Sequence, residues 1–411
     1  MIRVLHFSDL HLGSDYHGKP DPETGINQRI LDFAARLDEL IAFAEANDVD
    51  VVLFAGDAFK NATPTPTVQK LLAERVWRLA KSGVRVFMLA GNHDLPRMVA
   101  NVTAFSVYPA LEVENVTVAE QAGVYPIETR KGELLQIAAM PHFWRSAFTR
   151  QIDTGATPGD IDRAIDKMVA AKVDDLAARL NPSVPAILSA HCHVTKARLS
   201  TAQDLYGISD FELSLSSIAH RAFPYVALGH IHKSQVLNDE WRGGTFAAYS
   251  GSLDRVDFGE EGEEKGFFVA DFEHGSLTAE PQFIPVAARS FVTVKAKVDS
   301  QDPTGSVVAA IEKATVSGAV VRVQVEAPRH LYEEVDQQRV RLALEPAYDA
   351  RVQAIYPDES SPTVRDPRFA EAMSEARALE EFVRGDPALV MDADELLRLG
   401  NEIISEVLAQ T

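Results

Sequence analysis

Short runs of hydrophobic residues recur through the N-terminal part of the chain and predict strands that are buried on both faces. The runs lie at residues 2–7, 50–55, 84–89, 186–189 and 225–228. Apolar residues at helical spacing separate the first three runs, and they are Ile30, Phe33, Ala34, Leu37, Leu40, Ile41 and Ala44, then Val68, Leu71, Leu72, Val76 and Leu79. This alternation predicts a layered α/β core over residues 1–280.

Beyond residue 286 the pattern changes to alternating apolar and polar residues, which predicts half-buried strands. Strands are expected at residues 292–298, 321–325 and 351–356, with helices near 304–315 and 333–345 between them. Residues 286–357 are therefore predicted to form a small α+β domain.

The C-terminal part of the chain begins with a predicted linker, residues 358–367, since the chain runs PDESSP from Pro357 onward. Residues 368–411 carry two amphipathic helical patterns, the second with Asp392 and Glu395 in a capping-box arrangement. Two short helices bury little apolar area, so this segment is expected to dock on its own domain or on a partner protein. The pattern alone leaves both alternatives open.

The composition is that of an ordinary soluble protein, with 46% hydrophobic and 24% charged residues. A single cysteine, Cys192, excludes an internal disulfide framework and is typical of a reducing compartment. No apolar stretch approaches the ~20 residues of a membrane span and no signal peptide is found, so a cytoplasmic protein is expected. The net charge of -20 argues against strong DNA affinity by this chain alone.

Five clusters of metal-binding side chains follow predicted strands. They are Asp9-Leu10-His11, Gly56-Asp57, Gly91-Asn92-His93-Asp94, His191 and Gly229-His230-Ile231-His232. Open α/β sheets place their sites at strand ends, and oxygen and imidazole ligands suit two adjacent cations that clamp a phosphate group. One such cluster alone is usually loop chemistry, but five in order make a dinuclear phosphoesterase the main hypothesis.

Seven ligands are predicted: Asp9, His11, Asp57, Asn92, His191, His230 and His232. Asp9 and His11 can reach one cation together, and Asp57 follows a glycine, which frees its carboxylate to bridge two. Mixed oxygen and nitrogen donors without a thiolate favour two Mn²⁺ ions, with Mg²⁺ or another divalent cation as the alternative.

Three further histidines need an interpretation. His93 would be crowded as a ligand beside Asn92, and we expect it to act as the acid at the leaving oxygen. His193 stays an alternative ligand to His191, which we prefer because it directly ends the apolar run. His6, inside the first strand, is expected to be a packed core residue or a residue that supports the ligands without binding a metal itself.

Read together, the clusters resemble the calcineurin-like metallophosphoesterase superfamily and, within it, the SbcD-type nucleases of double-strand-break repair. The closer match rests on three stretches: Phe7-Ser8-Asp9-Leu10-His11-Leu12-Gly13, Ala227-Leu228-Gly229-His230-Ile231-His232-Lys233, and Tyr249-Ser250-Gly251-Ser252 with Asp257-Phe258-Gly259-Glu260-Glu261-Gly262. The resemblance covers most of the chain. It implies a layered β-sandwich flanked by helices, a small α+β capping domain that recognises DNA and a C-terminal helical segment.

The resemblance also implies how the ligands are shared. One ion is expected on Asp9, His11, Asp57 and His232, and the other on Asp57, Asn92, His191 and His230, with His93 as a catalytic residue that binds neither. The implied activities are Mn²⁺-dependent 3′-to-5′ exonuclease cleavage of duplex DNA and endonuclease cleavage of single strands or hairpins. Lys60 departs from the pattern, because several relatives carry a histidine there. A lysine can contact phosphate only as a point charge, so the balance of the two activities is left open.

The resemblance further implies partners. Residues 368–411 are expected to bind an SbcC-type coiled-coil ATPase, which could supply much of the grip on DNA. Family members are usually dimers, and we predict that Trp77, with Ala73 and Ala80, forms an outer helix face that contacts a second copy.

Two other functions compete with a DNA nuclease. A small-molecule phosphodiesterase or nucleotidase would use the same metals and would suit an acidic chain, but it has no evident use for C-terminal helices. A non-catalytic scaffold for an ATPase is disfavoured because the set of ligands is intact.

Overall fold

The computed structural model describes residues 1–96, 103–144, 157–201, 203, 211–238, 244–299, 301–357, 379–380, 383 and 393–409. Met1–Ile355 and Tyr356–Thr411 form two compact units, which are treated separately below. None of the helices in these described ranges is both long enough and apolar enough to span a bilayer.

Two sheets make up most of the first unit. The seven-stranded sheet contains β1 (Ile2–Phe7), β2 (Val51–Phe54), β3 (Arg85–Leu89), β4 (Val116–Ala119), β11 (Gly266–Glu273), β12 (Ser276–Leu277) and β13 (Gln282–Pro285). The six-stranded sheet contains β5 (Gly123–Glu128), β6 (Leu134–Met140), β7 (Ala186–His191), β8 (Tyr225–Gly229), β9 (Gln235–Val236) and β10 (Phe246–Tyr249). The five apolar runs noted in the sequence are β1, β2, β3, β7 and β8, so these predictions are confirmed.

The strands that precede the metal-binding clusters are parallel neighbours. In the first sheet β1 pairs with β2 and β2 with β3, and in the second sheet β7 pairs with β8, all in parallel. Their carboxyl ends therefore lie at the same edge of each sheet. The antiparallel strands β11 and β5 lie outside these runs.

The two sheets pack face to face over a shared core. Side chains on one face of the first sheet, such as Val4, Leu53 and Phe87, belong to the same buried cluster as Ile187 and Tyr225 of the second. Their neighbours in sequence turn outward: Leu5, Val52 and Phe54 pack against helices on the outer face. Because each strand is covered on both faces, most of its residues are apolar. The fold is the predicted α/β sandwich flanked by helices.

Helices cover the outer face of each sheet. On the first sheet lie α1 (Gln28–Ala46) and α2 (Pro66–Lys81). The helix Pro158–Ala178 packs on the outer face of the second sheet, where its apolar side chains share a buried cluster with those of β7 and β8. Shorter helices occupy Val107–Ala110 and Leu215–Ile218, with 3₁₀ turns at Ala104–Ser106 and Phe258–Glu260. The buried face of α1 agrees with the predicted stripe, but it also contains Arg29, which is fully covered.

The prediction for the outer face of α2 is wrong in one respect. Trp77 is exposed, with 57% of its surface accessible, as expected. Ala80, however, is buried, and Ala73 packs against the core cluster beneath the helix. The exposed apolar surface at this position is therefore the ring of Trp77. The ammonium group of Lys81 lies beside it, with Nζ 4.5 Å from the centre of the indole ring.

A smaller sheet follows at the end of the first unit. Its strands β14 (Phe291–Lys297), β15 (Val320–Glu326) and β16 (Asp349–Ile355) are parallel, and the helices Pro303–Glu312, Arg329–Glu333 and Gln337–Ala343 connect them. It has its own buried cluster around Val307, Ile311 and Val323. These are the elements predicted for the small α+β region.

In the second unit the helix Ala393–Ala409 is described, and it matches the second amphipathic pattern. Most of the first pattern, Asp392 of the predicted capping box and the linker at residues 358–367 lie outside the described residues.

Candidate metal centre

The backbone brings the first two clusters side by side. The parallel pairing of β1 with β2 continues past both strands, because the amide of Asp9 donates to the carbonyl of Gly56 at 2.9 Å and that of His11 donates to Asp57 at 3.0 Å. The side chains of Asp9, His11 and Asp57 therefore project from two adjacent strand ends.

Four of the predicted ligands have left-handed backbone conformations. The φ angles are 51° at Asp9, 45° at His11, 62° at Asp57 and 101° at His230. Such angles are uncommon outside glycine and cost of order 1–3 kcal/mol each in sparsely populated regions, so they persist where surrounding contacts over-determine them. The sharp turns let two ligands two residues apart reach the same point.

Three side chains meet on one side of the site. The Nε2 atoms of His11 and His232 lie 2.9 Å apart, and a carboxylate oxygen of Asp9 lies within 4.8 Å of both rings' nitrogens. Oδ2 of Asp57 is 3.7 Å from His11 Nε2. Because all of these atoms are lone-pair donors in the neutral histidine and ionised carboxylate forms, the cluster suits a cation.

A second group converges on the other side of Asp57. Oδ1 of Asn92 lies 3.0 Å from both His191 Nε2 and His230 Nδ1, and His191 Nε2 is 3.3 Å from Asp57 Oδ2. Asp57 Oδ2 thus stands between the two groups, as a bridging ligand must. The donor set fits two divalent cations, although the assignment of individual ligands stays a prediction.

Glycines make this convergence sterically feasible. A Cβ atom at Gly56 would clash with Nδ1 of His191, and one at Gly91 would clash with the carboxylate of Asp57. At Gly229 it would clash with the carbonyl oxygen of Ala55. The glycines that precede or follow the candidate ligands therefore permit close approach, which other residues would prevent.

His93 lies at the open side of the same cluster. Its amide donates to Asp57 Oδ1 at 2.8 Å, and its Nδ1 is 2.8 Å from the carbonyl oxygen of Lys60. Since a carbonyl only accepts, Nδ1 carries the proton in that bond, and the exposed ring presents Nε2 for proton transfer. The ring can serve as the predicted acid when Nε2 is protonated as well, and this role stays a prediction. His93 is also within 4.8 Å of His11 and Asp57, so a ligand role is geometrically open.

Asp94 was in a predicted cluster without an assigned role, and the structure gives it one. This buried carboxylate accepts hydrogen bonds from the amides of Asp57, Ala58 and Gly91 at 2.9, 2.9 and 3.0 Å. It ties the loop after β3 to the loop after β2. Asp94 therefore positions the backbone that carries Asp57.

Lys60 is engaged away from the cluster. Its Nζ lies 2.6 Å from Asp15 Oδ1 and 4.3 Å from the centre of the Tyr16 ring. Its main-chain carbonyl, rather than its ammonium group, contacts His93. The predicted contact with phosphate would need the Lys60–Asp15 pair to open.

Sequence reasoning quoted Glu260 within a family motif but assigned it no function. Its Oε1 lies 2.7 Å from His232 Nδ1, and its Oε2 lies 2.7 Å from Lys265 Nζ, with both acidic and basic side chains fully buried. Ser252 donates a further hydrogen bond to Oε2 at 2.9 Å. Because the carboxylate fixes the proton on Nδ1, Nε2 of His232 is left as a lone pair directed at the site, the usual arrangement around metal-binding histidines.

The charges of Glu260 and Asp57, two of the buried acids at this centre, follow from their partners. Burial alone raises the pKa of Glu260, but the ammonium of Lys265 and the ring of His232 lower it by more, so its pKa lies well below the ordinary value. Burial likewise raises the pKa of Asp57, but His191, His93 and His11 together lower it by more, so the net shift of the pKa is downward. Both groups are thus ionised at neutral pH, as metal binding requires.

The geometry favours His191 over His193 as the candidate ligand, and the choice stays a prediction. His191 ends β7 and contacts Asp57 and Asn92, and its Nδ1 bonds the carbonyl of Ala55 at 2.8 Å. The His193 ring lies 6.4 Å from that of His230, and within the described residues it belongs to no group of three that could hold a metal ion.

The structure also adds a histidine that had no motif. His142, after β6, is buried and stacks at 6.2 Å on the ring of His230. His6, by contrast, is the packed core residue that was expected, with its Nδ1 2.8 Å from the hydroxyl of Tyr225.

Replacement of Glu260 by glutamine is expected to weaken Mn²⁺ binding by about 10–100-fold, because His232 loses its orienting carboxylate. Loss of the charged hydrogen bonds should also lower the free energy of unfolding by about 2 kcal/mol. Isothermal titration with Mn²⁺ and chemical denaturation measure the two effects. Glu263→Gln is the matched control, since Glu263 contacts Lys265 at 2.9 Å, and it should reduce stability without changing metal affinity. Equal metal affinities in both variants would contradict the role of Glu260.

The sequence agrees with this geometry. The family model described as calcineurin-like phosphoesterase matches residues 2–234, which is more than half of the 411 residues. The chain belongs to the calcineurin-like phosphoesterase family.

Within that class, the chain is similar to bacterial proteins that are named as the SbcD-type subunit of the nuclease SbcCD. The protein of Escherichia coli K12 is 28% identical over 287 residues, which are 67% of this chain and 66% of that one. The Bacillus subtilis protein is 23% identical over 297 residues, with 72% of each chain covered. The Rhodobacter capsulatus protein is 25% identical over 367 residues, with 86% of this chain and 85% of that one covered.

Proposed function

We propose that this chain is the nuclease component of an SbcCD-like complex, a cytoplasmic enzyme that cleaves phosphodiester bonds of DNA during double-strand-break repair. The observation that carries the proposal is the position of Asp57 between two groups of donors, at the meeting edge of two sheets, in a chain similar to the SbcD-type component of the nuclease SbcCD. The proposed activities are 3′-to-5′ exonuclease cleavage of duplexes and endonuclease cleavage of single strands and hairpins.

The proposed cofactors are two Mn²⁺ ions, one held by Asp9, His11, Asp57 and His232, the other by Asp57, Asn92, His191 and His230. When bound, two such ions polarise the phosphoryl group and supply hydroxide at neutral pH. The proposed proton donor to the leaving oxygen is His93, which is exposed and whose Nδ1 bonds to the carbonyl of Lys60. Asp94 holds the backbone at Asp57, and Glu260 orients the ring of His232.

The experiment that tests the proposal compares three substrates in the presence of Mn²⁺: blunt duplex DNA, a DNA hairpin and bis-p-nitrophenyl phosphate. We expect cleavage of all three by the protein mixed with its ATPase partner, and EDTA should abolish it. Hydrolysis of the small ester without any DNA cleavage, even with the partner present, would instead support a small-molecule phosphodiesterase. The acidic balance of the chain, -20, is the observation that favours this second candidate.

The ATPase partner is proposed to bind through residues 368–411, with residues 286–357 as the domain that contacts DNA and 358–367 as the linker. The helix Ala393–Ala409 is amphipathic and acidic in its first turn. Deletion of the residues after 366 should leave hydrolysis of the small ester within about twofold of wild type, because every candidate ligand lies in residues 1–280. The same deletion should abolish co-elution with the ATPase. Retained co-elution would exclude this segment as the main contact.

A homodimer through α2 is proposed on the exposure of Trp77. Because this ring is 57% accessible on a helix surface, its burial would stabilise an interface. Trp77→Ala is expected to weaken self-association at least tenfold, measured by sedimentation velocity over a concentration series. Leu342→Ala, another exposed apolar side chain at 68%, is the matched control. A dimer of unchanged affinity in Trp77→Ala would remove α2 from the interface.

A further inference from the structure

The turn Asp257–Gly262 touches two distant parts of the first unit. On one side Glu260 orients His232 in the candidate metal centre. On the other side the same turn is held by the small three-stranded sheet formed by β14, β15 and β16. Only Gly259 separates Phe258 from Glu260, so a contact of one residue with the small sheet is close to the contact of the other with His232.

Aromatic contacts form the first link between the turn and the small sheet. The ring of Phe258 meets that of Phe291, the first residue of β14, with centroids 5.0 Å apart and planes at 78°. The guanidinium of Arg322, from β15, lies 4.4 Å from the centre of the Phe258 ring. Edge-to-face aromatic pairs contribute about 0.5–1.5 kcal/mol beyond burial, and partly desolvated cation–π contacts contribute a similar amount.

Hydrogen bonds form the second link. The carboxylate of Glu261 accepts from the amide and the hydroxyl of Thr293, on β14, at 2.7 and 2.5 Å. Arg322 in turn donates to the Thr293 hydroxyl at 3.0 Å. Phe258 and Glu261, before and after Glu260 in the turn, thus contact the small sheet. Glu260 itself contacts Lys265 and His232.

We propose that the small sheet sets the metal affinity of the centre through this turn, with Phe258 as a positioning residue for Glu260 and therefore for His232. The inference rests on the proposed dinuclear site. The turn is a short 3₁₀ segment, Phe258–Glu260, capped by Asp257, and it lacks the length to hold its own conformation. Glu260 itself is held by Lys265 and Ser252. The flanking Phe258 and Glu261 are held by Phe291, Thr293 and Arg322, so we expect displacement of the small sheet to displace the orienting carboxylate.

Variants on both sides of the contact test the proposal. Arg322→Met removes the guanidinium from β15 without touching the turn, and Phe258→Ala removes the ring from the turn itself. We expect each to weaken binding of one of two Mn²⁺ ions by about tenfold, as measured by isothermal titration and by the Mn²⁺ spectrum in electron paramagnetic resonance. Hydrolysis of bis-p-nitrophenyl phosphate should return to within about twofold of wild type at saturating Mn²⁺, since no catalytic group is lost.

Two further variants separate positioning from general loss of stability. Phe283→Ala removes a half-buried ring of β13, which packs 5.3 Å from Phe268 and not on the turn, and it should leave Mn²⁺ affinity unchanged. Phe258→Tyr retains the aromatic ring at this position, and its Mn²⁺ affinity should equal that of the wild type. Unchanged Mn²⁺ affinity in Arg322→Met, or an equal loss in Phe283→Ala, overturns the inference while the proposed function stands. A wild-type protein that binds no Mn²⁺ overturns both.

Discussion

Replacement of Asp57 by asparagine is expected to abolish Mn²⁺-dependent hydrolysis, with kcat lowered by about a thousandfold or more. The reason is positional: Oδ2 of Asp57 is 3.7 Å from His11 and 3.3 Å from His191, so its charge serves both donor groups at once. An amide oxygen in its place cannot balance two dications. The stoichiometry of bound Mn²⁺ should fall from two per chain to at most one, which titration calorimetry measures directly.

The control for this variant is Asp48→Asn. Asp48 also has a left-handed backbone, with φ of 54° against 62° at Asp57, so both changes are made in the same backbone context. Asp48 lies on the surface and pairs with Lys131 at 2.8 Å. Asparagine tolerates such angles, so neither substitution should strain the backbone. Two Mn²⁺ ions bound to Asp57→Asn would refute the bridging role.

Replacement of His93 by alanine is expected to lower kcat by about 10²–10⁴-fold while both ions remain bound. The side chain is exposed, and its Nδ1 bond to the carbonyl of Lys60 leaves Nε2 as the group that transfers a proton. Phosphodiesters with good leaving groups need less help from an acid, so the loss should be smaller for bis-p-nitrophenyl phosphate than for DNA. Steady-state rates on both substrates measure this difference.

The competing ligand role of His93 makes a different prediction. If the ring held an ion with His11 and Asp57, the alanine variant would lose Mn²⁺ affinity, and excess Mn²⁺ would restore its rate. Under the acid role, added imidazole restores part of the rate and excess Mn²⁺ does not. His330→Ala, which removes an exposed histidine of the small domain, serves as the unaffected control.

Much of the fold could be predicted because its strands are buried on both faces. Runs such as residues 51–55 and 225–228 are apolar throughout, and the metal-binding residues follow directly where the strands end. Strand ends in a parallel sheet meet at one edge, so order along the sequence was enough to bring Asp9 and Asp57 together. His191 reaches them from the second sheet, and the packing of the two sheets decides that contact.

The residues that were missed depend on contacts that the sequence pattern does not carry. Arg29 lies within an apolar helix face, and its burial becomes intelligible only with Asp32 at 2.6 Å and the carbonyl of Arg255 at 2.6 Å. Glu260 was visible in a motif, yet its partner His232 is far away in sequence. Such pairings are set by tertiary packing rather than by local periodicity.

The outer face of α2 shows the opposite failure. Periodicity placed Trp77 correctly, but it also placed Ala80 outside, and this alanine is buried. A small residue at the edge of an apolar stripe can face either side, since its position is decided by the neighbouring elements that happen to cover it. The exposed surface proposed for self-association is correspondingly narrower than expected.

The candidate ligands are divided between the two layers of the sandwich. One group follows strands of the first sheet and consists of Asp9, His11, Asp57 and Asn92. The other group ends or follows strands of the second sheet and consists of His191, His230 and His232. Each ion would therefore cross-link the layers at one end, much as a disulfide joins two segments. Because such ions would bind only the folded protein, their binding would stabilise the fold. Ion concentrations of about 100 times Kd would add about 2.7 kcal/mol per site to the free energy of unfolding.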